Sequence, residues 1–138
     1  MNKFVSGLAF LHSDHNVVLL KEKHGTLLTI GGRIEENEKS SETLTRTYIE
    51  STGLPTNSAM WYPCFKLQSS SREIHFYRTF PTSIISTKKG ILLVDWSFEL
   101  KHRPQRLSPN LVWILPLLTS NAFEVGDTMH PLTKEEIY

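Results

Sequence analysis

The chain is predicted to fold as one α+β domain, a mixed central sheet with helices packed on its faces. Three observations point there. The apolar runs come in the order strands, helix, strands, helix. Several are separated by turns of hairpin length, which join antiparallel strands, whereas a doubly wound parallel sheet needs a crossover between successive strands. The 138 residues suffice for one core but not for two.

Composition narrows the class. Hydrophobic residues make up 39% and charged residues 21%, which is the balance of a globular chain and not of a disordered one. Fifteen basic and fourteen acidic side chains leave a formal charge of +1, so bulk charge points to neither nucleic acid nor an anionic membrane. Cys64 is the single cysteine, which excludes an internal disulfide and makes an intracellular, cytoplasmic setting the default expectation. Met1 to Ser6 leads into a run of strand length, not a signal-peptide core, and no apolar run is long enough to cross a bilayer.

Phe4 to Leu11 reads as a buried strand, followed by the polar turn at 13–16 and a second strand, Val17 to Leu20, forming a hairpin. Leu27 to Ile30 is a third strand, ended by a turn at Gly31-Gly32. A helix starts near Ser40 or Ser41 as N-cap, with Glu42 in its first turn, where the helix dipole favours negative charge. Leu44 and Tyr48, four apart, are expected to face the core with Ile49 beside them. Gly53 can take the left-handed conformation that closes a helix, and Pro55 stops its continuation. Met60 to Leu67 and Glu73 to Phe80 are strands around a serine turn, and Ile91 to Phe98 has the apolar content of another. Residues 81–90 and 102–108 read as irregular. Pro109 to Leu118 reads as a second, more buried helix, and Phe123 to Val125 as a last short strand. On this reading residues 1–127 form the domain and 128–138 a polar tail.

The segment from Gly31 to Leu54 carries the functional signal. Gly32 is followed by five residues, Glu38, seven residues, Arg46, and then Glu50, Gly53 and Leu54. Six positions in this register, set between a strand and a helix, resemble the signature box of the MutT/Nudix hydrolase family. The stretch Pro109 to Leu118 is similar to the late helix of that family's oxidised-purine nucleoside triphosphatases. The resemblance runs from about Phe4 to Leu118 and implies a Nudix-like α/β/α sandwich with a mixed sheet. It further implies hydrolysis of a phosphoanhydride, in a nucleoside diphosphate-linked compound or a modified nucleoside triphosphate, with Mg2+ or Mn2+ held by helix carboxylates.

The box departs from the family's pattern where that chemistry is concentrated. Thr47 and Ser51 stand where the family has glutamates. Positions 47, 50 and 51 share one helix face by their i, i+3 and i+4 spacing, so a three-carboxylate face is reduced to Glu50 with two hydroxyls. Mg2+ is usually held by one or two carboxylates with waters and substrate phosphates, so Glu50 retains a ligand role under the resemblance, more weakly than in the full box. A lost unit charge about 4 Å from the metal forgoes roughly 4 kcal/mol at an effective dielectric near 20, before solvent softens it. Reduced activity is the expectation.

Under the resemblance Glu50, Glu38 and Arg46 are the catalytic candidates, and Gly32, Glu50 and Glu38 the metal candidates. Asn110, Arg33 and Lys23 are the candidates for substrate. Each has an alternative reading. Glu38 could simply complement the helix N-terminus, Arg46 and Glu50 could form a plain i, i+4 ion pair, and Asn110 with Pro109 could cap the late helix. Trp61, Tyr62, Phe76 and Trp113 read as core, and the histidines lack zinc-ligand spacing. A second function class stays open beside the enzyme: a Nudix-fold protein without catalysis, binding a nucleotide, an RNA or a protein partner. The family also has dimeric branches, so a homodimer is among the assemblies the resemblance allows, and a membrane is not.

Overall fold

A computed structural model describes residues 2–11, 16–68, 70–81, 88–109, 111–118 and 130–133. The elements run β1 (Asn2–Leu11), β2 (Asn16–Lys21), β3 (Leu27–Leu28), β4 (Ile30–Arg33), α1 (Ser40–Thr52), β5 (Tyr62–Gln68), β6 (Arg72–Thr79), β7 (Ile91–Asp95), α2 (Trp96–His102), α3 (Leu111–Leu118) and β8 (His130–Thr133). Single 3-10 turns at Ser58–Met60 and Pro104–Arg106 connect some of them.

The sheet is mixed, with the order β3-β2-β1-β6-β5-β8, while β4 pairs with β1 and β7 with β2. β1 runs parallel to β6 and β5 parallel to β8; the other described pairs are antiparallel. Period-two alternation along β1 separates two cores. Leu8 and Phe10 face α3 and join Phe65, Phe76, Leu111, Ile114 and Leu115. Val5 and Ala9 face α1 and join Ile30, Leu44, Tyr48, Trp61 and Tyr77. This is the helix–sheet–helix sandwich the sequence predicts.

Several elements differ from their sequence reading. Gly31 and Gly32 do not turn: they lie inside β4, opposite Ser6 and Val5 of β1. The chain turns later, where Asn37 takes φ 67° and Glu38 N–H donates to the Glu35 carbonyl at 3.2 Å. The N-cap of α1 is Lys39, without a side-chain cap bond, because the Ser40 hydroxyl is instead paired with the Tyr77 hydroxyl. Ile49 is 41% exposed and does not join Leu44 and Tyr48 in the core. Tyr62 is likewise exposed, whereas Trp61 and Phe76 are buried. The apolar run from Ile91 divides at Asp95, whose carboxylate accepts from Phe98 N–H at 3.1 Å and starts α2. Within the segment expected to be a tail, His130–Thr133 forms β8 beside β5. The strand expected at Phe123–Val125 lies outside the described residues. Gly53 closes α1 as expected, with φ 74° and its N–H bonded to the Ile49 carbonyl. Among the described residues, no helix is long and apolar enough to cross a membrane.

Candidate functional site

α1 lies across β4 and β1, and this packing brings the two ends of the box together. Gly31 is required by close approach: a Cβ there would stand 1.9 Å from the Val5 carbonyl oxygen. At Gly32 a Cβ would stand 3.1 Å from Thr47 Cγ2, so Thr47 lies directly over this glycine. The Thr47 hydroxyl is turned back into its own helix, donating to the Thr43 and Leu44 carbonyls at 2.9 and 3.2 Å. Ser51 is half-buried near the end of the same helix.

Arg46 gathers the acids that remain. Its guanidinium donates to Glu38 Oε1 at 3.1 Å and lies 3.8 Å from Glu50 Oε1. Arg46 and Glu50 thus form the i, i+4 ion pair that their spacing allows, and the same guanidinium also holds the loop acid Glu38. The hydrogen bond to Glu38 raises the Arg46 pKa above its ordinary value, and the charges of Glu38, Glu50 and Glu35 add to the effect. The Glu50 side chain is 64% exposed, open to solvent and to a charged ligand. Lys88, donating from Nζ to the Glu50 carbonyl at 2.8 Å, supplies the cation that α1 lacks in its last turn.

Among the described residues, no hydrogen bond or ion pair joins Arg33 or Lys23 to this group. Arg33 ends β4, is exposed, and donates to Asn2 Oδ1 at 3.0 Å. Lys23 is exposed in the turn between β2 and β3. Asn110 lies outside the described residues. Glu99 is buried and faces Arg106 at 3.5 Å and Arg103 at 4.0 Å on its own stretch of chain. It serves to tie α2 to the following 3-10 turn, and nothing described joins it to α1.

The donor set can be tested against a divalent ion. Among the described residues, no group of three or more His, Cys, Asp or Glu side chains could hold a metal by itself. What α1 and its preceding loop offer is two carboxylates linked through Arg46. That fits an ion carried in with phosphate oxygens, and does not fit a closed all-protein cage.

Solved structures with this architecture agree on the fold. A mutator MutT protein from Bacillus halodurans superposes with a TM-score of 0.65 over 98% of this chain and 92% of its own, at 17% identity. A Nudix-family hydrolase from Clostridium perfringens gives 0.67 over 86% of this chain and 95% of its own, at 20% identity. No protein-family model matches the sequence, and no curated protein does. The chain has the Nudix fold, the scaffold of a class of hydrolases.

Proposed function

We propose that this Nudix-fold chain is a divalent-metal-dependent pyrophosphohydrolase of reduced activity. Its substrate class would be a nucleoside diphosphate-linked compound or a modified nucleoside triphosphate. The observation that supports this most is the Arg46 bridge, which holds Glu38 and Glu50 together beside the Gly32 strand. In this reading Glu50, assisted by Glu38 and a backbone carbonyl at Gly32, would hold Mg2+ or Mn2+. The ion would supply charge neutralisation on the phosphoanhydride and acidify a water. Arg46 keeps the two carboxylates oriented. Arg33 and Lys23 are proposed to meet substrate phosphates, and Asn110 to pair with a base edge. Thr47 and Ser51 contribute no negative charge, which is why turnover is expected to be slow.

One observation favours a second reading, a binder without chemistry: the Thr47 hydroxyl is turned back onto its own helix, and this position brings no negative charge to a ligand ion. The binder would hold a nucleotide, an RNA or a protein partner, as a monomer or a homodimer.

The test offers purified protein, with Mg2+ or Mn2+, a panel of nucleoside triphosphates, ADP-ribose, NAD and dinucleoside polyphosphates. Metal-dependent turnover that disappears in Glu50→Gln is the result expected of the enzyme. Ligand retention without turnover decides for the binder. Thr47→Glu combined with Ser51→Glu is expected to raise turnover; a folded, metal-binding double variant that hydrolyses nothing on the panel counts against a diphosphate pocket.

A further inference from the structure

A strand inside a sheet uses both of its edges, and β7 uses one. It runs antiparallel to β2, with Val18 opposite Leu93 and Leu20 opposite Ile91. Among the described residues, no second strand pairs with it. Lys21 N–H donates to the Gly90 carbonyl at 2.7 Å, and antiparallel bonding alternates along a strand, so Gly90, Leu92 and Val94 are turned to β2. Ile91, Leu93 and Asp95 therefore turn their backbone groups to the other edge. The Ile91 N–H is taken by the Lys88 carbonyl at 3.2 Å. What faces outward is the Ile91 carbonyl, both groups of Leu93 and the Asp95 N–H.

This edge is also unguarded. Natural chains blunt an open edge with an inward charge, a proline or a bulge. Ile91-Leu92-Leu93-Val94 contains no charge and no proline, and its pairing with β2 runs without a register shift. Ile91 is buried in the α1-side core, and Leu92 and Val94 pack on the α3-side core. Leu93, on the α1 side with Val18, is 46% exposed. Charge stands at the two ends with opposite sign: Lys88 and Lys89 before the strand and Asp95 at its close, all exposed. Lys88 is committed to the Glu50 carbonyl, which leaves Lys89 for a partner.

We propose that two copies of this chain associate through the open edge, β7 pairing antiparallel with β7 across a two-fold axis at Leu93. Each Leu93 N–H then donates to the Leu93 carbonyl of the second copy, and each Asp95 N–H to the second copy's Ile91 carbonyl. Every outward donor meets an outward acceptor, as an isologous contact requires. Residues directly opposite share a face, so the two exposed Leu93 side chains cover each other, and Leu92 meets Val94 on the other face. The antiparallel sense brings Asp95 of one copy beside the turn that carries Lys89 of the other, whereas a parallel edge would set like charges together. That charge match, built from one strand's own two ends, selects a second copy as the occupant. The contact uses none of Glu38, Arg46 and Glu50, and the inference does not depend on hydrolysis.

Sedimentation velocity of the full chain, without metal or nucleotide, tests it. The mass should rise from one chain to two between about 1 μM and 1 mM. Leu93→Lys sets two ammonium groups face to face at an exposed position; it should raise the dissociation constant about tenfold or more and leave the circular dichroism unchanged. Lys89→Asp should raise it roughly threefold. Cross-linking checks the register, and keeps the test open should Leu93→Lys fail to fold. Leu93→Cys would lie about 5.5 Å from its twin, Cα to Cα, inside the roughly 4.4–6.8 Å that a disulfide spans, and should oxidise to a covalent dimer. Lys89→Cys would lie roughly 25 Å from its twin and should not. Cys64 is buried and does not compete. A chain that stays monomeric to about 1 mM overturns the proposal. So does a dimer that a folded Leu93→Lys leaves intact, or a Lys89→Cys chain that cross-links as fast as Leu93→Cys.

Discussion

Thr47 sits on Gly32: the methyl of one comes within 3.1 Å of where the other would carry its Cβ. A threonine stands here on a close helix–strand seat. Gly32→Ala is expected to destabilise the fold by about 1–2 kcal/mol, because a methyl is forced against a packed neighbour. Adding Thr47→Ala should recover part of that loss. Urea denaturation of the two single variants and the double variant measures the coupling. Strict additivity would show that Thr47 does not rest on the glycine.

Arg46 bridges Glu38 and Glu50 in solvent, so its worth lies in orientation more than in stability. Arg46→Gln should leave the stability of the fold nearly unchanged, as loss of an exposed ion pair does. In an active enzyme it should lower kcat/KM at least tenfold, because two unbridged carboxylates repel and separate. Thermal melts and turnover measured on the same samples separate these effects. A large loss of stability with turnover intact would make Arg46 a structural residue only.

Much of the candidate site could be read before any coordinates, and the reason is local. Glu38, Arg46, Glu50 and Gly53 belong to one helix and the loop before it, so spacing alone put them on related faces. Leu44 and Tyr48 were placed correctly in the core for the same reason. What could not be read depends on distant chain. Two glycines signal a turn locally, and only the approach of Val5 shows that Gly31 is needed inside a strand. α2 was hidden because apolar residues stand on both sides of Asp95, Ile91 to Val94 before it and Trp96 and Phe98 after it; the signal that could have found it was Asp95 as an N-cap. The cluster around Glu73 draws Lys3, Lys66 and His75 from three strands, and only the register brings them together.

Glu73 should give the fold a distinctive acid sensitivity. Burial pushes its carboxyl up, but the hydrogen bonds from His75 and Lys66, with their charges, outweigh burial and hold its pKa below the ordinary 4.5. The unfolded chain therefore takes up this proton before the folded one does. The stabilisation is present above about pH 4.5 and is lost as pH falls through the lower folded value. Glu73→Gln should cost about 1–3 kcal/mol near pH 7. The gap between variant and parent should close in acid. Denaturant titrations at a series of pH values follow the gap; one that persists undiminished below pH 3 would place the stabilising charge elsewhere.

Cys64 is fully buried in the core beneath α3, and burial pushes its thiol up to about 12, against a smaller opposing effect from Arg78. Reaction with disulfide reagents needs the thiolate. At pH 8 the folded chain should therefore resist modification, and labelling should wait for opening of the structure. Its rate should follow the population of opened chain, rising steeply with urea and falling with any ligand that stabilises the fold. Because the thiolate is disfavoured only in the folded state, stability should decline as pH rises above about 9, where the unfolded thiol ionises. Cys64→Ala should remove the thiol's part of this decline, leaving that of the buried Tyr48 and Tyr77 phenols, at the cost of a small cavity. Stoichiometric labelling of native protein within seconds at pH 8 would put the thiol at the surface and contradict its place in the core.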